Sequence, residues 1–235
     1  MTAAVPLTGG IIAAGHGSRL RGDGFAVAKP LVPVAGVPLI AGVIENFLAA
    51  DIRSLRIIVN ADERDCVRWV RERFPRLDAE WIVRTTASSF ESFVAVASAR
   101  GAGRMLVSTV DAWCRASDFT CFVAQASRRS PDASVLAVTP LVADERPLWV
   151  DLDETGRVTA LGGPSGRFVT AGMYLVSERV RETTPPAGLG RLREYLSWLW
   201  RRGAPLCGEV IETVVDVDRA QDVALAESLA RAGAS

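Results

Sequence analysis

Histidine is almost missing from this 235-residue chain, where His16 stands alone. The four cysteines, Cys66, Cys114, Cys121 and Cys207, are scattered and form no Cys-x-x-Cys pair. With one histidine to help them they make neither a zinc set nor a disulfide framework, and buried free thiols in a reducing compartment are expected. No apolar run approaches the roughly 20 residues that span a bilayer, and no basic stretch with a long apolar block opens the chain. Neither a membrane partner nor a signal peptide is expected, and the expected location is the cytoplasm. An excess of charge is missing too, since 27 Lys and Arg balance 27 Asp and Glu. No global field points to nucleic acid. The charge that matters must be local.

That charge gathers near the start. Ile11-Ile12-Ala13-Ala14 is an apolar run short enough for one buried strand, and it breaks into Gly15-His16-Gly17-Ser18-Arg19. Two glycines allow a tight bend that exposes backbone N–H groups, a concave row suited to phosphate. Arg19 and Arg21 add fixed positive charge, and Lys29 adds a mobile one. In the loop the backbone of His16 is expected to matter more than its ring. A Walker loop would need Lys-Ser or Lys-Thr directly after its last glycine, and the dinucleotide fingerprint would need glycine where Leu20 stands. Neither is present, so a nicotinamide or flavin oxidoreductase is disfavoured.

Three linked blocks remain: Gly15-His16-Gly17-Ser18-Arg19, Lys29-Pro30-Leu31-Val32-Pro33-Val34 and Gly36-Val37-Pro38-Leu39. In this order they resemble the opening of the nucleotidyltransferase (pyrophosphorylase) superfamily, especially the sugar-1-phosphate nucleotidylyltransferases. The resemblance implies a Rossmann-like three-layer α/β/α fold, the nucleotide-diphospho-sugar transferase fold. Its sheet would be mixed and mostly parallel, with a small β insertion in the second half. It further implies that the first half holds the nucleotide and the second half shapes the acceptor pocket.

Residue patterns agree with that fold class. Helices are expected at Pro38 to Ala50, after a cap at Asp62, and from about Ser89 to Ala99. Strands are expected at Leu55 to Val59, Ala79 to Val83 and Met105 to Thr109. Four strand–helix alternations are the signature of a parallel sheet covered on both faces. Further on, strands are expected at Ala133 to Thr139 and Phe168 to Val176, with a hairpin of Trp149 to Leu152 and Arg157 to Leu161. A helix from about Leu189 to Arg201, a last strand at Val210 to Val217 and a helix at Ala220 to Ala232 complete the reading. Without repeats or linkers, one domain over 1–235 is expected, with a nucleotide half to about 130 and an acceptor half after it.

The candidate site follows. Ala13, Ala14, Gly15, His16, Gly17, Ser18 and Arg19 are assigned to the nucleotide, and Arg19 and Lys29 to catalysis. Asp111 follows a strand at the carboxyl end, where open α/β sheets bind ligands. It either holds Mg²⁺, which prefers oxygen ligands, or caps the segment after Trp113; the resemblance implies the metal. The superfamily also completes its metal site from an aspartate before the terminal helix, matched here by Asp216 or Asp218. In a strand the two share a face, with Asp216 favoured and Asp218 close behind as metal ligand or helix cap. Thr86, Ser88 and Ser89 lie where relatives contact the base, although Ser88 or Ser89 could equally cap the helix. Trp113, for stacking, and Gly172, in a Gly-x-Tyr strand, are assigned to the acceptor; Glu145 and Asp151 are weaker polar candidates near it.

The shortage of histidine fits the chemistry. A phosphate-monoester nucleophile has a second pKa of about 6 and is largely ionised at pH 7, so it needs no general base. It needs alignment and charge neutralisation. The expected reaction is Mg²⁺-dependent nucleotidyl transfer from an NTP to a phosphorylated small-molecule acceptor, first a sugar 1-phosphate, releasing pyrophosphate. Phosphocholine, a polyol phosphate or molybdopterin are the alternative acceptors. The insertion Gly22 to Val27 favours sugar phosphates over molybdopterin. A non-catalytic nucleotide or sugar-phosphate binding protein is the rival from another class. A homodimer is compatible with the sequence.

Overall fold

The computed structural model describes residues 7–98, 103–143 and 145–233. Strand β1 (Thr8–Ala13) leads into the short helix α1 (Ser18–Gly22), a 3-10 turn at Lys29–Leu31 and a small hairpin of β2 (Pro33–Val34) and β3 (Val37–Pro38). Alternation then sets in through α2 (Leu39–Ala49), β4 (Ser54–Val59), α3 (Arg64–Arg73), β5 (Asp78–Val83), α4 (Ser89–Ala97) and β6 (Met105–Thr109). A two-residue strand β7 (Ala112–Trp113), helix α5 (Ala116–Arg128) and strand β8 (Ser134–Thr139) follow. The second half adds β9 (Trp149–Leu152), β10 (Val158–Leu161), β11 (Phe168–Val176), α6 (Glu178–Glu182) and α7 (Leu192–Arg201). It closes with β12 (Leu206–Val210), β13 (Val215–Asp216) and α8 (Ala220–Ala232).

Among the described residues, nine strands form one sheet in the order β10-β9-β11-β6-β1-β4-β5, with β8 between β11 and β12. Strands β6, β1, β4 and β5 are parallel, as is the β8–β12 pair. Strand β11 runs antiparallel to β6, β8 and β9. The alternation of side chains along β1 builds two cores. Ile11 and Ala13 pack with residues of α2, α3, α5 and α8, while Ile12 and Ala14 pack with those of α4 and α7. Gly9 and Gly10 leave the space that Phe47 and Val96 fill from opposite helices. The result is the three-layer α/β/α, mixed and mostly parallel arrangement that the sequence pattern implies. No described helix is long and apolar enough to cross a membrane.

Several expectations change in detail. Asp62 does not cap α3; Glu63 occupies the N-cap without a side-chain bond, and the Asp62 N–H donates to Asn60 Oδ1 instead. Pro38 is the N-cap residue of α2 rather than part of its first turn. The last strand expected over Val210 to Val217 falls in two strands, β12 and β13, joined by a bend over 211–214 in which Ile211 and Val214 are buried and Glu212 is exposed. Helix α4 ends at Ala97, and Ala99 lies outside the described residues. All four cysteines are free; Cys66 and Cys114 are buried, Cys207 is half-buried, and Cys121 is exposed on α5. Trp198 and Trp200, two apart on α7, diverge: Trp198 stacks on Tyr195, and Trp200 Nε1 donates to the Val158 carbonyl.

Candidate active site

The opening loop leaves the carboxyl end of β1 at the centre of the sheet. Gly17 takes a left-handed conformation, φ 58°, as the N-cap of α1. A Cβ there would meet Lys29 Cβ at 2.6 Å, so glycine serves both the conformation and the space. Arg21, expected to face an anion, turns the other way and pairs with the buried Glu63 at 3.2 Å. Burial raises the Glu63 carboxyl, and the charge of Arg21 pulls it part of the way back.

Lys29 is only 6% exposed. Its Nζ donates to Asp111 Oδ2 at 2.6 Å and to Asp218 Oδ1. Arg19 Nη1 reaches the other Asp218 oxygen at 3.0 Å. Burial alone would lower the Lys29 ammonium, but the charges of Asp111, Asp218 and Asp216 outweigh it and hold the pKa above its usual range. Burial likewise works to raise Asp111, while the Lys29 charge and hydrogen bond hold it below the usual carboxylate range. Lys29 therefore stays charged.

Asp111 and the Asp216/Asp218 segment come from opposite halves of the chain, and β7 and β13 bring them together. Asp216 pairs with Ala112 across that two-stranded ladder, and the Val217 N–H donates to the Asp111 carbonyl at 3.0 Å. Asp216 and Asp218 project to the same side, with Val217 buried between them. Asp111, Asp216 and Asp218 each offer a carboxylate oxygen within 4.8 Å of the others, a spacing that could hold a divalent cation. Three carboxylates against Lys29 and Arg19 leave an excess of negative charge, which fits such an ion. The alternative capping roles fall away: the N-cap of α5 is Arg115, and α8 is capped by Asp222 Oδ2 accepting from the Asp218 and Arg219 N–H groups.

The turn before α4 serves as the helix cap, one of its two expected uses. Ser88 Oγ accepts from the Glu91 N–H and caps the helix. Ser89 Oγ accepts from the Leu192 N–H and so ties α4 to α7. Thr86 Oγ1 pairs with Ser92 Oγ at 2.7 Å. Ser88 and Ser89 also line a cavity of about 530 Å³, together with Arg19, Asp111, Asp216, Asp218 and Gly172. Such a volume suits a small-molecule ligand. Thr86 and the glycine loop are not among its lining residues.

On the far side, Gly172 bends β11 with φ 72°, and a Cβ there would meet Thr109 Oγ1 at 2.6 Å and Ala112 Cβ at 2.9 Å. The pairing of β11 with β8 shifts register across this point, between Thr170 and Tyr174. Trp113 does not line the cavity; half-buried, it packs against the core on the α2 and α5 side. Asp151 accepts from the Arg167 N–H, and Glu145 bridges Arg19 and Arg219 at 3.9 and 2.9 Å. Arg146, Arg191 and Arg193 also line the cavity and had no signal in the sequence beyond their charge. Asn60 and Asp23 were missed as well. Asn60 follows a parallel strand at its carboxyl end, the place where such sheets bind ligands, and that rule could have found it. Asp23 Oδ2 accepts from the Ala220 N–H at 2.9 Å, a contact across 197 residues that no local pattern announces.

Residues 9–183 match the family model for the MobA-like NTP transferase domain. Among curated proteins none matches significantly. Solved structures share the fold over nearly their full length. A protein from Bacillus anthracis assigned as a glucose-1-phosphate thymidylyltransferase, in complex with a sucrose, is 21% identical with a TM-score of 0.82, covering 96% of this chain and 95% of that one. The inositol-1-phosphate CTP transferase from T. maritima is 15% identical with a TM-score of 0.80, covering 95% of each chain. A UDP-glucose pyrophosphorylase complexed with UDP-glucose is 13% identical with a TM-score of 0.76, covering 97% of this chain and 100% of that one.

Proposed function

The chain belongs to the family of MobA-like NTP transferase domains, and from that premise we propose that it transfers a nucleotidyl group from an NTP to a phosphate monoester carried on a sugar or cyclic polyol. A sugar 1-phosphate is the first choice of acceptor. The observation that carries the proposal is the array of Arg19, Asp111, Asp216 and Asp218 at the wall of one cavity, with the buried Lys29 bonded to Asp111 and Asp218 behind it. Glucose 1-phosphate and inositol 1-phosphate, the acceptors after which two of the structural neighbours are named, support that class of acceptor.

The acceptor phosphate is ionised near pH 7 and attacks the α-phosphorus directly. A new P–O bond forms to the acceptor, the bond between the α-phosphorus and its bridging oxygen breaks, and pyrophosphate leaves. Lys29 and Arg19 supply positive charge where negative charge builds up. The glycine loop, Ala13 to Ser18, holds the phosphate chain through backbone N–H groups, and the turn at Thr86 to Ser89 faces the base. Magnesium fits the carboxylate set of Asp111, Asp216 and Asp218, and when bound would neutralise phosphate oxygens. Gly172 and the cavity wall beyond it border the acceptor.

The deciding assay is pyrophosphate release with Mg²⁺ across four NTPs and a panel of phosphorylated sugars, polyols and choline. Release with a hexose or cyclitol phosphate is the expected result. Release only with phosphocholine would move the acceptor to another class. No release despite NTP binding would reject transfer to every acceptor in the panel.

A further inference from the structure

Asn60, at the end of β4, is 1% exposed, and its side-chain amide uses every hydrogen-bonding position it has. Oδ1 accepts from the Asp62 N–H at 3.1 Å and from Thr85 Oγ1 at 2.9 Å. Nδ2 donates to the Ala14 carbonyl at 3.4 Å and faces His16 Nδ1 at 3.2 Å. Two of these partners are backbone groups whose polarity cannot change: Asp62 N–H only donates and Ala14 C=O only accepts. They lie at opposite ends of the amide, so a single orientation satisfies both. In that orientation the second Nδ2 proton points at His16 Nδ1, which must accept it. The His16 proton is then on Nε2.

We infer that Asn60 is a positioning residue for the nucleotide: it locks His16 in the Nε2–H tautomer and ties the glycine loop to the turn bearing Thr85 and Thr86. The inference rests on the NTP reading of the site, in which the loop takes the phosphates and the turn takes the base. One NTP then spans two segments that the chain separates by about seventy residues, and Asn60 fixes their spacing before the ligand arrives. A preorganised pair of surfaces lowers the ordering cost of binding. The ring of His16, and not only its backbone, is thus part of the design. Its partner is set by an amide that cannot flip.

His16 is the chain's single histidine, so its side-chain nitrogen spectrum in the ¹⁵N-labelled full chain has no overlap. The wild type is expected to show the proton on Nε2. In Asn60→Asp, a near-isosteric change, a carboxylate oxygen replaces the donor opposite Nδ1, so Nδ1 gains a proton and the signature changes. In Thr85→Val the tautomer stays as in the wild type, because Asp62 and Ala14 still fix the amide. Calorimetry with each of the four NTPs and magnesium should show both variants binding the preferred NTP about tenfold more weakly. Their kcat in pyrophosphate release should stay within about twofold, the pattern of lost uniform binding. A wild-type proton on Nδ1, an unchanged spectrum in Asn60→Asp, or NTP affinity equal to wild type in both variants would overturn the inference. So would a fall in kcat at unchanged affinity. If the wild type binds none of the four NTPs, the nucleotide reading fails and takes the positioning role with it, whereas the spectrum still decides the tautomer lock by itself.

Discussion

Lys29 packs directly against the underside of Gly17: a Cβ at Gly17 would lie 2.6 Å from Lys29 Cβ. The residue that bends the glycine loop and the residue that charges the site therefore occupy one another's space. Gly17→Ala meets two penalties, a left-handed backbone at φ 58° and this clash. It should cost about 1–3 kcal/mol of stability and displace Lys29 as well. The measurement is chemical denaturation alongside NTP affinity. Unchanged values in both would mean that the loop relaxes freely and that its contact with Lys29 carries no weight.

Lys29→Met should abolish turnover and also destabilise the fold, because the lysine is buried between carboxylates rather than free in a loop. Asp111 and Asp218 retain some exposure, so the loss should be nearer about 2 kcal/mol than the full penalty of a broken buried pair. Magnesium should restore part of the melting temperature of this variant, by taking the place of the ammonium among Asp111, Asp216 and Asp218. Melting curves with and without the metal, or after chelation, test it; a variant indifferent to magnesium would argue against a cation among these three carboxylates.

The two C-terminal aspartates should separate in a metal titration. Asp218 is held by Lys29 and Arg19, whereas Asp216 contributes its carboxylate from the β13–β7 ladder. Asp216→Asn should weaken Mn²⁺ binding, followed by electron paramagnetic resonance, with a smaller fall in melting temperature than Asp218→Asn, because its charge acts on Lys29 less strongly than that of Asp218. Asp218→Asn should both weaken binding and lower the melting temperature, since two cations lose a partner. Full Mn²⁺ affinity in both variants would remove this segment from the metal site.

Cys66 and Cys114 should make the fold sensitive to alkali. Burial pushes both thiols from an ordinary value of 9.0 up to about 12. Their folded pKa values lie above the unfolded ones, so their contribution is complete below pH 9 and falls away as pH rises toward 12. Each thiol should add about 1.4 kcal/mol per pH unit to the slope in that window. Comparing the pH slope of unfolding in Cys66→Ala and Cys114→Ala with that of the wild type isolates the effect. Equal slopes would mean that the thiols ionise as readily folded as unfolded.

Local chemistry made the first half of the fold readable. Apolar spacing placed α2, β4, β5 and β6 within a residue or two, and α8 in the second half as well, because burial on one face or two imposes a period that side chains cannot hide. The split of the last strand was not readable. Val210, Val214, Val215 and Val217 look like one β-branched run, and only pairing with β8 on one side and β7 on the other divides it. At the site, the glycine loop, Lys29, Asp111 and Asp216 carried their own signals. Asn60, Glu63, Asp23 and the arginines of the cavity wall did not. Their roles depend on partners tens to hundreds of residues away, and a carboxylate or amide is equally at home in solvent. Trp113 shows the converse, a strong local signal, beside Asp111, whose side chain the fold turns toward the core.

The bond from Lys29 to Asp218 spans 189 positions, and that from Asp23 to Ala220 spans 197. During synthesis the glycine loop emerges long before the segment bearing Asp216 and Asp218. Until that segment docks, Lys29 has Asp111 but not Asp218 as a partner, and the carboxylate set lacks two of its three members. A chain cut short before Asp216 would keep the loop and the Lys29–Asp111 pair but not the carboxylate set.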